Sequence, residues 1–173
     1  MNLIIKAKKF AEKAHKGQLR KYTNEPYINH PIAVARLVQT VCNDDYILAA
    51  AILHDVVEDT ETTIEDISKE FGKRIADIVS DLTDISRPED GNRKIRKEID
   101  RQHTAKACKE AKLIKLADLI DNHKSIEKYD PDFAKVYMAE FLRLLDVLER
   151  ANDELFNQAQ SILKEDINEN IIL

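Results

Sequence analysis

Apolar positions in this chain recur at three- and four-residue intervals almost throughout, the spacing of helical faces that meet a core. Leu3, Ala7, Phe10, Ala11 and Ala14 open the series and predict a helix that Gly17 stops. Gln18 to His30 reads as a loop holding Arg20, Lys21, Pro26 and Tyr27. Pro31 stands where a first helical residue should, with Ile32, Ala35, Val38 and Val41 marking the helix behind it. Asn43 or Asp44 caps a third helix, Asp45 to about Val57, and Thr62 with Glu65 predicts a capping box for a short helix ending near Phe71 and Gly72. Further helices are expected over Arg74 to about Ile85, Asn92 to Ala107, Lys109 to about Lys128, Asp130–Pro131 through Arg150, and Asn152 to Asp166, with a loop at Arg87–Gly91. Strand-type alternation is missing apart from a few ambiguous residues at the ends. The predicted class is all-α, with roughly eight to ten helices.

Composition strengthens that reading. Only 3 glycines and 4 prolines occur in 173 residues, poor stock for the tight turns of a sandwich or barrel. No repeat or Pro/Gly/Ser-rich linker interrupts the pattern, so one domain over 1–173 is expected. The 27 basic and 32 acidic residues leave a net charge of −5, which argues against nucleic acid or an anionic membrane as partner. Lys6, Lys8 and Lys9 precede any long apolar run, and the longest such run, Tyr46 to Leu53, falls far short of the roughly 20 residues a bilayer needs. A cytoplasmic protein is expected. Cys42 and Cys108 form no CxxC and sit in apolar patterns, so they are expected to be reduced core residues.

The chemistry concentrates in Leu53-His54-Asp55-Val56-Val57-Glu58-Asp59. On one continuous helix, with His54 at zero, Glu58 falls at about 40°, Asp55 at about 100° and Asp59 at about 140°. Ile47, Leu48 and Ala51 precede them on that side, which points the group into a cleft. Three carboxylates so close repel one another, and a divalent cation would remove that cost. The plain alternative is an acidic helix C-terminus, which the helix dipole disfavours. Asp118 lies between Leu116, Ala117, Leu119 and Ile120, and a buried carboxylate needs a cation or several donors. Lys115 and Asn122 fall on its helical stripe, although a surface Lys115–Asp118 ion pair would also explain two of the three. His30 is pinned between Pro26 and Pro31. His15, His103 and His123 have no companions at ligand spacing, and surface or packing roles are expected for them.

Together these segments resemble the HD-domain metal-dependent phosphohydrolases, whose signature H…HD…D would be His30, His54-Asp55 and Asp118 here. The run from His54 to Asp59 is similar to the HDxxED variant. Arg20-Lys21…Pro26-Tyr27-Ile28-Asn29-His30-Pro31 and Lys115-Leu-Ala-Asp118-x-x-x-Asn122 are similar to motifs of the RelA/SpoT-type hydrolase domain, in the family's order and over about residues 5–150. The nearest group is the small, stand-alone (p)ppGpp hydrolases.

The resemblance implies an HD-type helical bundle with one Mn²⁺ on His30, His54, Asp55 and Asp118. A mixed nitrogen–oxygen donor set also suits Fe²⁺ or Zn²⁺ better than an all-oxygen Mg²⁺ or Ca²⁺ cage. It further implies catalytic Glu58 and Asp59, and substrate contacts from Arg20 and Lys21 at the guanine base and from Lys115 and Asn122 in the nucleotide pocket. The implied activity removes the 3′-pyrophosphate of (p)ppGpp to give GDP or GTP. Alternatives are an HD phosphohydrolase for another nucleotide and a non-catalytic nucleotide sensor. Arg93, Lys94, Arg96 and Lys97 could meet a pyrophosphate, although a solvated basic face is the default. Lys124 replaces a usual arginine and Asp121 a common aromatic or histidine, two departures that bear on substrate choice.

Overall fold

The computed structural model describes residues 2–148 and 151–168. Those residues form ten α-helices and one 3₁₀ turn, with no strand beyond an isolated bridge between Leu19 and Pro26. The class is all-α, as the periodicity predicts. The chain divides into two compact units, one ending at Thr83 and the other beginning at Asp84. Among the described residues no helix is long and apolar enough to cross a membrane.

The first unit holds α1 (Leu3–Ala14), α2 (Asn29–Gln39), α3 (Asp45–Leu53), α4 (Val56–Asp59), α5 (Ile64–Phe71) and α6 (Lys73–Leu82). Its centre is α3, buried continuously from Ile47 to Leu53 and packed by α1, α2 and α6. A helix apolar on every side has no solvent face to keep, and each buried Ile or Leu contributes about 1.5–3 kcal/mol. Alanines at 49, 50 and 51 let the neighbouring helices approach closely.

Several boundaries differ from the sequence reading. Helix α2 begins at Asn29, so Pro31 is its third residue and His30 already lies in the first turn. First-turn N–H groups have no partner within their own helix, so a proline is tolerated there as well as at the first position. The capping box is Thr63 with Asp66, one residue later than expected. Thr63 Oγ accepts from Asp66 N at 3.2 Å and Asp66 Oδ2 accepts from Thr63 N at 3.0 Å, a register that buries Ile67 and Phe71 on one stripe. Helix α6 ends at Leu82, short of Ile85. Gly72 joins α5 to α6 at φ +87°, a left-handed geometry that suits glycine.

The second unit holds the turn Pro88–Asp90, α7 (Arg93–Lys106), α8 (Lys109–Tyr129), α9 (Pro131–Leu148) and α10 (Asp153–Asn168). Helix α8 is the apolar centre, packed by α9 and α10, while α7 packs on α9. Arg150, the expected end of α9, lies outside the described residues. Buried Asp100 accepts from Ile85 N at 3.1 Å, Ser86 N at 2.9 Å and Ser86 Oγ at 2.8 Å, tying the segment before the turn to α7. Cys42 and Cys108 are both half-buried, which corrects their expected place in the core.

Candidate metal centre and active site

The expected helix over 45–57 breaks at His54–Asp55, and the break builds the site. Helix α3 stops at Leu53, Asp55 takes φ −96° and ψ −6°, and α4 restarts at Val56. The Ala51 carbonyl, which a continuing helix would offer to the Asp55 N–H, accepts from the His54 ring at Nδ1, 2.8 Å away. A carbonyl only accepts, so Nδ1 carries the proton and Nε2 keeps its lone pair. That ring is buried, and Nε2 lies 3.1 Å from Asp55 Oδ2.

His30 comes from the first turn of α2, with its Nε2 3.6 Å from the same Asp55 oxygen and its ring 5.2 Å from that of His54. Ligand atoms of His30, His54 and Asp55 all fall within 4.8 Å of one another. Two imidazoles and a carboxylate at that spacing, one imidazole with its tautomer set by a backbone carbonyl, are a donor set fit for a divalent cation. Tyr27, which the sequence reading passed over, donates its hydroxyl to Asp55 Oδ2 at 2.7 Å. Burial first, then the charges of Asp55 and Asp59, push its phenol far above the ordinary value, so it stays a donor. Its signal in the sequence is its place between Pro26 and Pro31, beside His30.

Glu58 and Asp59 lie on α4, one turn past the break, and both are exposed. The continuous-helix geometry that put four ionisable groups into one cleft is therefore corrected: His54 is buried, Asp55 is partly buried, and the later pair faces solvent. Asp59 borders a cavity of about 670 Å³ together with His15, Lys16, Gln18 and Thr62. Gln18 Nε2 donates to Asp59 Oδ2 at 2.9 Å.

The loop carrying Arg20 and Lys21 is closed by backbone bonds from Tyr27 N to Gln18 O at 3.0 Å and from Arg20 N to Glu25 O at 2.9 Å. Arg20 is half-buried; Lys21 is exposed, its ammonium 3.0 Å from Tyr22 Oη and over that ring.

In the second unit, the expected stripe of α8 forms. Asp118 is only 6% exposed, with Lys115 Nζ 3.1 Å from Oδ2 and Asn122 Nδ2 donating to Oδ1 at 2.7 Å. Burial excludes the surface ion pair. Lys115 also faces Asp84: burial opposes that carboxyl's charge, but Lys115 and Lys97 outweigh it and hold the group below the ordinary carboxylate range.

Among the α7 cations, Arg93 binds Glu140 through two bonds of 2.7 and 2.8 Å, and Lys97 binds Asp84 at 2.7 Å. Both are spent on structure. Buried His123 faces Glu127 at 3.2 Å, and His103 is half-buried.

A family model described as HD domain matches residues 7–151. A Xenopus tropicalis protein named guanosine-3′,5′-bis(diphosphate) 3′-pyrophosphohydrolase MESH1 is 39% identical over 136 residues, 75% of this chain and 73% of that protein. The Homo sapiens protein of that name is 35% identical over 135 residues, covering 75% and 72%. A solved structure, described as a metazoan ortholog of SpoT that hydrolyzes ppGpp and plays a role in starvation responses, superposes with a TM-score of 0.86 at 31% identity, over 95% of this chain and 96% of that one.

Proposed function

This chain belongs to the HD-domain family, and on that premise we propose that it is a Mn²⁺-dependent (p)ppGpp 3′-pyrophosphohydrolase acting in the cytoplasm, with residues 1–173 working as one HD-type domain. The observation that carries the reading is the His30–His54–Asp55 cluster, with Glu58 and Asp59 one turn beyond it, in a chain that aligns over most of its length with proteins named for that activity. His30, His54 and Asp55 hold the metal, and Asp118 completes the set as the family signature implies. Fe²⁺ and Zn²⁺ suit the same donors. When bound, the cation supplies Lewis acidity and charge neutralisation at the phosphoryl group.

The chain's own residues do the rest. Ala51 O and Tyr27 Oη fix the orientation of His54 and Asp55. Glu58 and Asp59 orient the attacking water and carry its proton. Water adds at the phosphorus joined to the ribose 3′ oxygen; that P–O bond breaks, the 3′ oxygen takes a proton, and pyrophosphate leaves. Lys115 and Asn122 hold Asp118 and line the nucleotide pocket, while Arg20 and Lys21 meet the guanine base.

Purified protein incubated with Mn²⁺ and a panel of nucleotides should convert ppGpp to GDP and pyrophosphate. Orthophosphate as the sole product, or preference for a nucleotide without a 3′-pyrophosphate, would refute the substrate assignment. Asp118→Ala should lose both bound Mn²⁺ and turnover; full activity in that variant after metal depletion would remove Asp118 from the site.

A further inference from the structure

Gln18 occupies a place that the family motifs leave without a role. It is half-buried just beyond the end of α1, and its backbone is fixed on both sides: its N–H donates to His15 O at 3.0 Å and its carbonyl accepts from Tyr27 N at 3.0 Å. Its amide then spans two groups. Nε2 is 2.9 Å from Asp59 Oδ2, and Oε1 is 2.7 Å from His15 Nδ1.

The chemistry of the partners removes the ambiguity of an amide. An ionised carboxylate can only accept, so the amide NH₂ must face Asp59. The amide oxygen therefore faces His15 and can only accept, so the His15 proton sits on Nδ1. The carboxylate thus sets which way the amide faces, and the His15 N–H, by holding Oε1, keeps the amide in place against it. The ring is not free to turn. His15 is only 4% exposed, and its ring lies 4.8 Å from that of Tyr27 at 36°. Tyr27 in turn donates to Asp55. Asp59, Gln18, His15, Tyr27 and Asp55 thus form one unbroken series of contacts within the first unit.

From these contacts we infer that Gln18, held in place by His15, is a positioning residue for Asp59. The inference rests on the proposed proton-handling role of Asp59. Asp59 is exposed on a four-residue helix, and the Gln18 amide acts with the nearby Tyr27 hydroxyl to fix its carboxylate. The Gln18 N–H holds Oδ2, so the carboxylate meets the water in one orientation. Such a tie costs nothing during turnover, because the donor is already in place.

The test combines a double-mutant cycle with a measurement that needs no turnover. Gln18→Ala should lower kcat by about tenfold to a hundredfold, the usual effect of removing an outer-shell partner, with KM and metal content unchanged. The isosteric Gln18→Glu, which sets a carboxylate against Asp59, should lose at least as much. In an Asp59→Asn background the further loss from Gln18→Ala should shrink below about twofold, because the group it positions is gone. His15→Ala should match Gln18→Ala, and His15→Asn, which keeps a donor near Nδ1, should recover part of the rate. Independently, long-range ¹H–¹⁵N spectra of the Zn²⁺-loaded protein should show His15 protonated at Nδ1. Equal losses from Gln18→Ala in both backgrounds, or a neutral His15 protonated at Nε2, would overturn the positioning role alone. Full activity in Asp59→Asn by itself would overturn the Asp59 assignment and the positioning role with it.

Discussion

Removing one oxygen atom, in Tyr27→Phe, tests whether the metal centre is held from outside its ligand set. The hydroxyl donates to Asp55 Oδ2 at 2.7 Å, the same oxygen that lies 3.1 Å from His54 Nε2 and 3.6 Å from His30 Nε2. Two opposed effects follow from that geometry. The hydroxyl competes with a cation for the oxygen, so its loss would strengthen binding; it also fixes the carboxylate where both imidazoles face it, so its loss would weaken binding. A carboxylate oxygen has two lone pairs, enough for a donor and a cation together, so the orienting effect wins. Outer-shell partners of this kind contribute about tenfold to a hundredfold in metal affinity, or about 1.4–2.8 kcal/mol. The phenyl ring keeps the stacking on His15 at 4.8 Å and the edge contact with His30 at 5.9 Å, so the fold should change little. Calorimetric titration of metal-free Tyr27→Phe with Mn²⁺ should give a dissociation constant ten to a hundred times the parent's. The melting temperature of the metal-free protein should drop by about 2–4 °C at most, the equivalent of about 1 kcal/mol. Affinity unchanged within twofold, or tighter, would refute the orienting role; weaker affinity with a much larger melting shift would mean that the hydroxyl serves the fold instead.

Three other perturbations separate the remaining roles. Glu58→Gln and Asp59→Asn remove charge with little volume, so turnover should fall by about 10²–10⁴ while bound Mn²⁺, measured by elemental analysis, is retained; loss of metal would make them ligands. Arg20→Ala should raise KM for the guanine nucleotide with a smaller change in kcat, and should barely affect hydrolysis of a base-free pyrophosphate ester; equal losses on both would remove the base contact. Asp84 has its folded-state pKa below the unfolded one, so its stabilisation is fully present above the ordinary carboxylate value of about 4 and is lost as pH falls through the lower folded value. Asp84→Asn should therefore cost about 1–3 kcal/mol in urea unfolding at pH 7, with the difference from the parent closing as the pH falls below the ordinary carboxylate value; a difference constant with pH would contradict the pairing with Lys97 and Lys115.

Local pattern determined what local physics controls. The helical class, the apolar centres of both units, the stripe of Lys115, Asp118 and Asn122, and the residue types of the metal cluster are all legible along the chain, because 3.6-residue periodicity and donor chemistry are properties of neighbouring residues. The register of the Thr63 cap was not legible, since two adjacent threonines offer equivalent signals until the burial of Ile67 and Phe71 selects between them. Nor was the break after Leu53. Sequence alone favours a continuous helix there, and the His54 ring bond to Ala51 O decides otherwise, burying one acid–base neighbourhood and exposing the next. Tertiary structure alone brought Tyr27 to Asp55 across 28 positions and Gln18 to Asp59 across 41. His15 read as an isolated histidine because its partners are not at ligand spacing; the turn after α1 and the closure of the 18–27 loop place them there. Side-chain networks of this kind depend on how the chain returns on itself, which no periodicity records, and they are what turn a recognisable set of ligands into an oriented site.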